Sequence, residues 1–103
     1  MPYAMHMRWP GITSDQYDEI LEKVRWEEEI PDGAIFHVAA FEDDGARVFD
    51  LWESPGQFDA FVGSRLMPAI KAIGITTEPD VALCPVHRMF AVKEIESGAG
   101  VLV

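Results

Sequence analysis

The chain has 103 residues, enough for one domain with a real core, and its 49% hydrophobic and 25% charged content is ordinary for a globular protein. A formal net charge of −10 with only 8 Lys and Arg repels phosphate backbones and anionic lipid, which argues against nucleic-acid and membrane-surface partners. No run reaches the length of a membrane span, no signal peptide is evident, and the lone Cys84 cannot close an internal disulfide; the expected location is the cytoplasm.

Tyr3 to Trp9 alternates Tyr, Met, Met and Trp against Ala, His and Arg, which predicts a two-sided strand ended by Pro10-Gly11. Thr13 and Gln16 form a capping box. The stripe Tyr17, Ile20, Leu21 and Val24, extended by Trp26, then predicts a helix with Asp18, Glu19, Glu22 and Lys23 outside. Pro31-Asp32-Gly33 is a turn. Ala34 to Glu53 reads as a hairpin with Asp44-Gly45 as a two-residue type I′ turn. Ser54, Pro55 and Gln57 open a second helix, again with a capping box, whose buried stripe runs from Phe58 to Ile73 and which Pro68 must kink or interrupt. Val81 to Phe90 is the last strand, and Pro85 places it at a sheet edge or a bulge. Residues 1–92 form the expected domain, and 93–103 a C-terminal tail.

The hairpin is the most informative segment. A turn at Asp44-Gly45 pairs Asp43 with Ala46, Phe41 with Val48, Ala39 with Asp50 and His37 with Trp52. His37, Ala39 and Phe41 then share one face with Val48, Asp50 and Trp52, while Phe36, Val38, Ala40, Phe49 and Leu51 take the other with a Glu42–Arg47 pair. An inward carboxylate and imidazole beside a Trp are costly unless paired or used.

The element order βαββαβ predicts an α+β fold, the ferredoxin-like split βαβ unit, with a four-stranded antiparallel sheet and both helices on one face. The uncovered face is expected to carry Tyr3, Met5, Met7, Phe36, Val38, Phe49 and Leu51. So much contiguous apolar surface predicts a homodimer through sheet-on-sheet packing.

This order, with Val48-Phe-Asp-Leu-Trp-Glu-Ser54 before a helix carrying Phe58 and Phe61, resembles the dimeric α+β barrel superfamily. His37-Val-Ala, Arg47-Val-Phe-Asp-Leu-Trp-Glu-Ser54, Arg65-Leu-Met-Pro68 and Pro85-Val-His87 resemble small bacterial proteins of its antibiotic-biosynthesis-monooxygenase-like branch. The resemblance spans roughly residues 2–90 and implies a pocket between sheet and helices, lined by Ala4, His6, Arg8, His37, Asp50 and Trp52. It covers cofactor-free monooxygenases, haem degraders, cyclases and isomerases, so it is specific for fold and weak for activity. Many members carry a His on the second helix where this chain has Phe61. Haem degraders carry a Trp there and a His near the position of Lys71, so haem degradation is disfavoured.

These readings converge on a cofactor-independent enzyme for a small aromatic or polyketide-like molecule, acting as a monooxygenase, cyclase or isomerase. His37 is the candidate base and Asp50 its orienter; His6 or Arg8 would stabilise developing negative charge. Trp52, Arg8, Tyr17, Phe41 and His87 are the candidate substrate contacts, each with core packing or a structural role as its plain alternative. His6, His37 and Asp50 lack local ligand spacing, so no metal is expected, and no cofactor. The alternative is a non-catalytic ligand-binding or assembly module. An open cavity of a few hundred Å³ reaching His37 favours the enzyme, on the usual size of ligand sites. A site filled by Trp52, Phe41 and Met side chains favours the module.

Overall fold

The computed structural model describes residues 2–93. The tail expected from residue 93 lies, but for that residue, outside the described residues. The elements are β1 (Tyr3–Pro10), α1 (Ser14–Val24), β2 (Ala34–Glu42), β3 (Gly45–Trp52), α2 (Pro55–Phe61), a π-helical turn (Val62–Leu66), α3 (Met67–Ile73) and β4 (Asp80–Pro85). The sheet order is β2-β3-β1-β4, with every described pairing antiparallel. The ferredoxin-like expectation therefore holds, with β1 and β3 as central neighbours.

Local chemistry sets the helix ends. The Gln16 amide donates to the Thr13 hydroxyl and the Thr13 amide to the Gln16 side chain, both at 3.1 Å, the reciprocal capping box read from the sequence. At the second helix the Gln57 amide donates to Ser54 Oγ, but the Gln57 carbonyl takes the Ser54 hydroxyl instead of the N-cap amide, so that box is half formed. Pro68 has no amide for the Ser64 carbonyl and crowds it; the preceding π-helical turn is the interruption the sequence required. Arg65, on that turn, donates to the Val24 and Arg25 carbonyls and closes the C-terminus of α1.

The hairpin register differs from expectation. Glu42 faces Gly45, Ala39 faces Val48 and His37 faces Asp50, so the turn residues are Asp43 and Asp44. Gly45 serves another purpose: a Cβ there would lie 2.3 Å from the Trp9 carbonyl oxygen, so the β1 backbone occupies its side-chain space. From Phe36 to Leu51 the change shifts the pairing by two residues, an even slip, so these side chains keep their expected faces; an irregularity between Ala34 and Phe36 then sets Ala34 opposite Trp52. Glu42 and Arg47 still meet, at 3.0 Å across the ladder.

The faces of β1 are the reverse of expectation. Met5 pairs with Asp50 and Met7 with Val48, while His6 pairs with Phe49 and Arg8 with Arg47. Directly opposed residues share a face, so Met5 and Met7 lie on the helix-covered side with Asp50, and His6 and Arg8 on the open side. Burial follows: Met5, Met7 and Trp9 are 2–5% exposed and join Ile20, Val24, Phe58, Phe61 and Ile70 in one core. The covered side takes the larger apolar set because the helices remove more area from water than an uncovered sheet face can. Beyond residue 85 the chain leaves the sheet, so β4 is shorter than the strand expected to Phe90.

Candidate active site between sheet and helices

Four polar side chains stand in a row on the covered face. Trp52, wholly buried at the end of β3, donates its indole N–H to Asp50 Oδ2 at 3.0 Å. Asp50 Oδ1 lies 2.7 Å from His37 Nδ1, across the β2–β3 ladder. His37 Nε2 lies 2.6 Å from the Tyr17 hydroxyl on α1. A carboxylate can only accept, so Nδ1 carries the proton that meets Asp50 in the neutral imidazole; Nε2 is then the acceptor and Tyr17 the donor. Asp50 is 5% exposed, the only buried charged residue among those described, and both its oxygens are held.

Aromatic rings enclose the row. Trp26 lies 4.7 Å from the His37 ring, centroid to centroid, and edges onto Trp52 and Phe61. Phe41 packs edge-on against Tyr17 at 5.8 Å. Burial pushes the Tyr17 phenol up to about 12, and the charges of Asp50, Asp18 and Glu27 add to it. Tyr17 is therefore a neutral hydrogen-bond donor at any physiological pH.

The space beside the row is small. A cavity of about 60 Å³ opens among Met5, Met7, Val48, Phe58, Phe61, Tyr17, His37 and Asp50. That is well below the few hundred Å³ of a ligand site. The open face carries a wider groove of about 340 Å³, lined by Ala4, His6, Phe36, Phe49, Leu51, Ala82 and Cys84. There His6 stacks on Phe49 at 4.7 Å, and its Nε2 is buried with no hydrogen-bond partner.

Thus the fold brings together His37, Asp50, Trp52, Tyr17 and Phe41. It does not bring His6 or Arg8 to them: both lie across the sheet, and Arg8 reaches exposed Asp44 at 3.5 Å. His87 is exposed, two residues past the end of β4, so it lines neither face of the strand. Trp52 is a buried support for Asp50, not a wall open to a ligand. With His6 on the far face, the three-residue ligand set of His6, His37 and Asp50 cannot close, and no group of three or more His, Cys, Asp or Glu converges among the described residues. No described helix is long and apolar enough to cross a membrane.

The sequence offers Trp26 only as an extension of the apolar stripe of the first helix, and the structure sets it against the His37 ring. Its signal was position. It follows Val24 by two residues, just past the left-handed Arg25 that ends α1 with φ at 57°, where the chain turns back over the hairpin.

No family model matches the chain, and no curated protein matches it in sequence. Solved structures do resemble it. SnoaB, a cofactor-independent oxygenase from Streptomyces nogalater, is 11% identical with a TM-score of 0.61, covering 85% of this chain and 94% of that one. Rv0793 from Mycobacterium tuberculosis is 16% identical with a TM-score of 0.65, covering 88% and 100%. A protein from Chloroflexus aurantiacus proposed to be an antibiotic biosynthesis monooxygenase is 17% identical with a TM-score of 0.57, covering 87% and 98%. At such identities the likeness speaks for architecture. With its β2-β3-β1-β4 sheet, the chain has the ferredoxin-like α+β fold of these solved structures, antibiotic-biosynthesis-monooxygenase-like proteins among them.

Proposed function

We propose that the chain is a cofactor-independent enzyme acting on a small aromatic or polyketide-like molecule, as a monooxygenase, cyclase or isomerase. The acid–base pair is His37 and Asp50. One observation carries this reading: an imidazole held at 2.7 Å by a buried carboxylate whose other oxygen is itself held by an indole N–H. The carboxylate sets the tautomer and stabilises the imidazolium formed when the ring takes a proton. The aromatic surround suits a flat, mostly apolar substrate. The cofactor-independent oxygenase among the structural neighbours supports the reaction class by analogy. The test is a panel of aromatic and polyketide-like metabolites followed for turnover. His37→Ala and Asp50→Asn should lower turnover about 10²–10⁴-fold, the usual weight of general acid–base catalysis. Full turnover in both variants overturns the assignment.

The small cavity favours a second reading, a non-catalytic ligand-binding or assembly module. Native mass spectrometry against the same panel separates the two: retention of an unchanged compound supports the module, and product release supports the enzyme.

The proposed assembly is a homodimer built on the open sheet face. Phe36, Val38 and Phe49 are 37–46% exposed there, beside Leu51. A second copy presenting the same face about a two-fold axis buries all of them and closes the groove at His6.

A further inference from the structure

We infer that Tyr17 is a catalytic residue of this site: its phenol meets the acidic proton of the substrate and relays charge to His37. This rests on the acid–base reading of His37 and Asp50 and changes which atom performs it. Both nitrogens of His37 are occupied, Nδ1 by Asp50 and Nε2 by Tyr17 at 2.6 Å. The basic lone pair is therefore capped by a hydroxyl, and no substrate proton reaches it while Tyr17 stays in place. The buried end of the row is closed by Trp52, which is 0% exposed. Its outer end is half-buried Tyr17, flanked by half-buried Trp26 and exposed Phe41. A flat substrate would meet the row first at this outer end.

The proton balance is simple. A substrate O–H, phenolic or enolic, gives its proton to the Tyr17 oxygen as the Tyr17 proton passes to His37 Nε2. The products are a substrate oxyanion, a neutral tyrosine and an imidazolium paired with Asp50. The tyrosine never becomes a phenolate, the form that burial and Asp50 disfavour here. The oxyanion formed accepts a hydrogen bond from the same Tyr17 hydroxyl, so one group removes the proton and stabilises the charge. The substrate class this selects is a planar phenol or enol with its hydroxyl at the rim of the ring.

The probe is 2-naphthol, added to the full chain at a pH where the free compound is neutral. Absorbance reads whether the bound probe is naphtholate. Wild type should show the naphtholate band, and Tyr17→Phe and His37→Gln should each lose it. A Tyr17→Phe variant that keeps the band while His37→Gln loses it overturns the relay and leaves the His37–Asp50 reading standing. A His37→Gln variant that keeps it overturns both. A wild type that leaves the probe neutral also overturns the relay. An independent check needs no ligand: nitrogen-15 NMR of His37 should show a protonated Nδ1 and an unprotonated Nε2, with the Nε2 resonance moving in Tyr17→Phe. A protonated Nε2 in neutral wild type excludes the relay.

Discussion

The two faces of the sheet each hold one central histidine, and they treat it in opposite ways. On the covered face His37 is hydrogen-bonded at both nitrogens, within a row that begins at a buried indole and ends at a phenol. On the open face His6 rests flat on Phe49 with its Nε2 buried and unpartnered. A buried polar atom without a partner is costly, and a fully connected network is not. The contrast agrees with the proposal that His37, and not His6, takes part in proton chemistry. The unpartnered nitrogen and the exposed Phe36, Val38 and Phe49 beside it agree with the homodimer proposed on the open face.

The comparison is sharpest at the two polar groups. Asp50→Ala leaves the His37 and Trp52 N–H groups without acceptors, and should cost about 2–6 kcal/mol at one to three per orphaned donor. His6→Leu removes the unpartnered polar atom together with its cost, and should leave stability unchanged or raise it by about 1 kcal/mol. Urea unfolding of both variants checks this. Equal losses would mean that the two faces do not differ as described.

Phe49→Arg places a charge on the open face and should convert the proposed dimer to monomer or aggregate while leaving the covered face intact. Size exclusion with light scattering at micromolar protein reads the outcome. A well-folded wild-type monomer of 11.5 kDa across that range would remove the dimer.

The last expected effect is confined to alkaline pH. The Tyr17 phenol titrates at about 12 in the folded chain against 10.0 for a free phenol. The folded state thus holds this proton more tightly than the unfolded state. Its contribution is fully present below about pH 10 and is lost as pH rises towards 12. Urea midpoints should fall over that window in wild type and fall less in Tyr17→Phe. Parallel curves would show that the covered face does not perturb Tyr17.

Much of this architecture is legible in the residues. Period-two and helical stripes, the Thr13 capping box, Pro55 at a helix start and Pro68 inside the second helix set the order βαββαβ. Alternation within the hairpin also places His37 and Asp50 on one face, because an even register slip leaves faces unchanged. Three things were decided only in three dimensions. The side taken by β1 depended on its pairing with β3, and Met5 opposite Asp50 sent His6 and Arg8 to the far face. Alternation separates Tyr3, Met5, Met7 and Trp9 from Ala4, His6 and Arg8, but only the pairing with β3 decides which set meets the helices. The need for Gly45 came from the Trp9 backbone, distant in sequence, and not from its own turn. Tyr17 and Trp26 reached His37 because α1 lies across the hairpin and ends at Arg25. That placement is set by core packing and by the Arg65 cap, to which residues far along the chain contribute together.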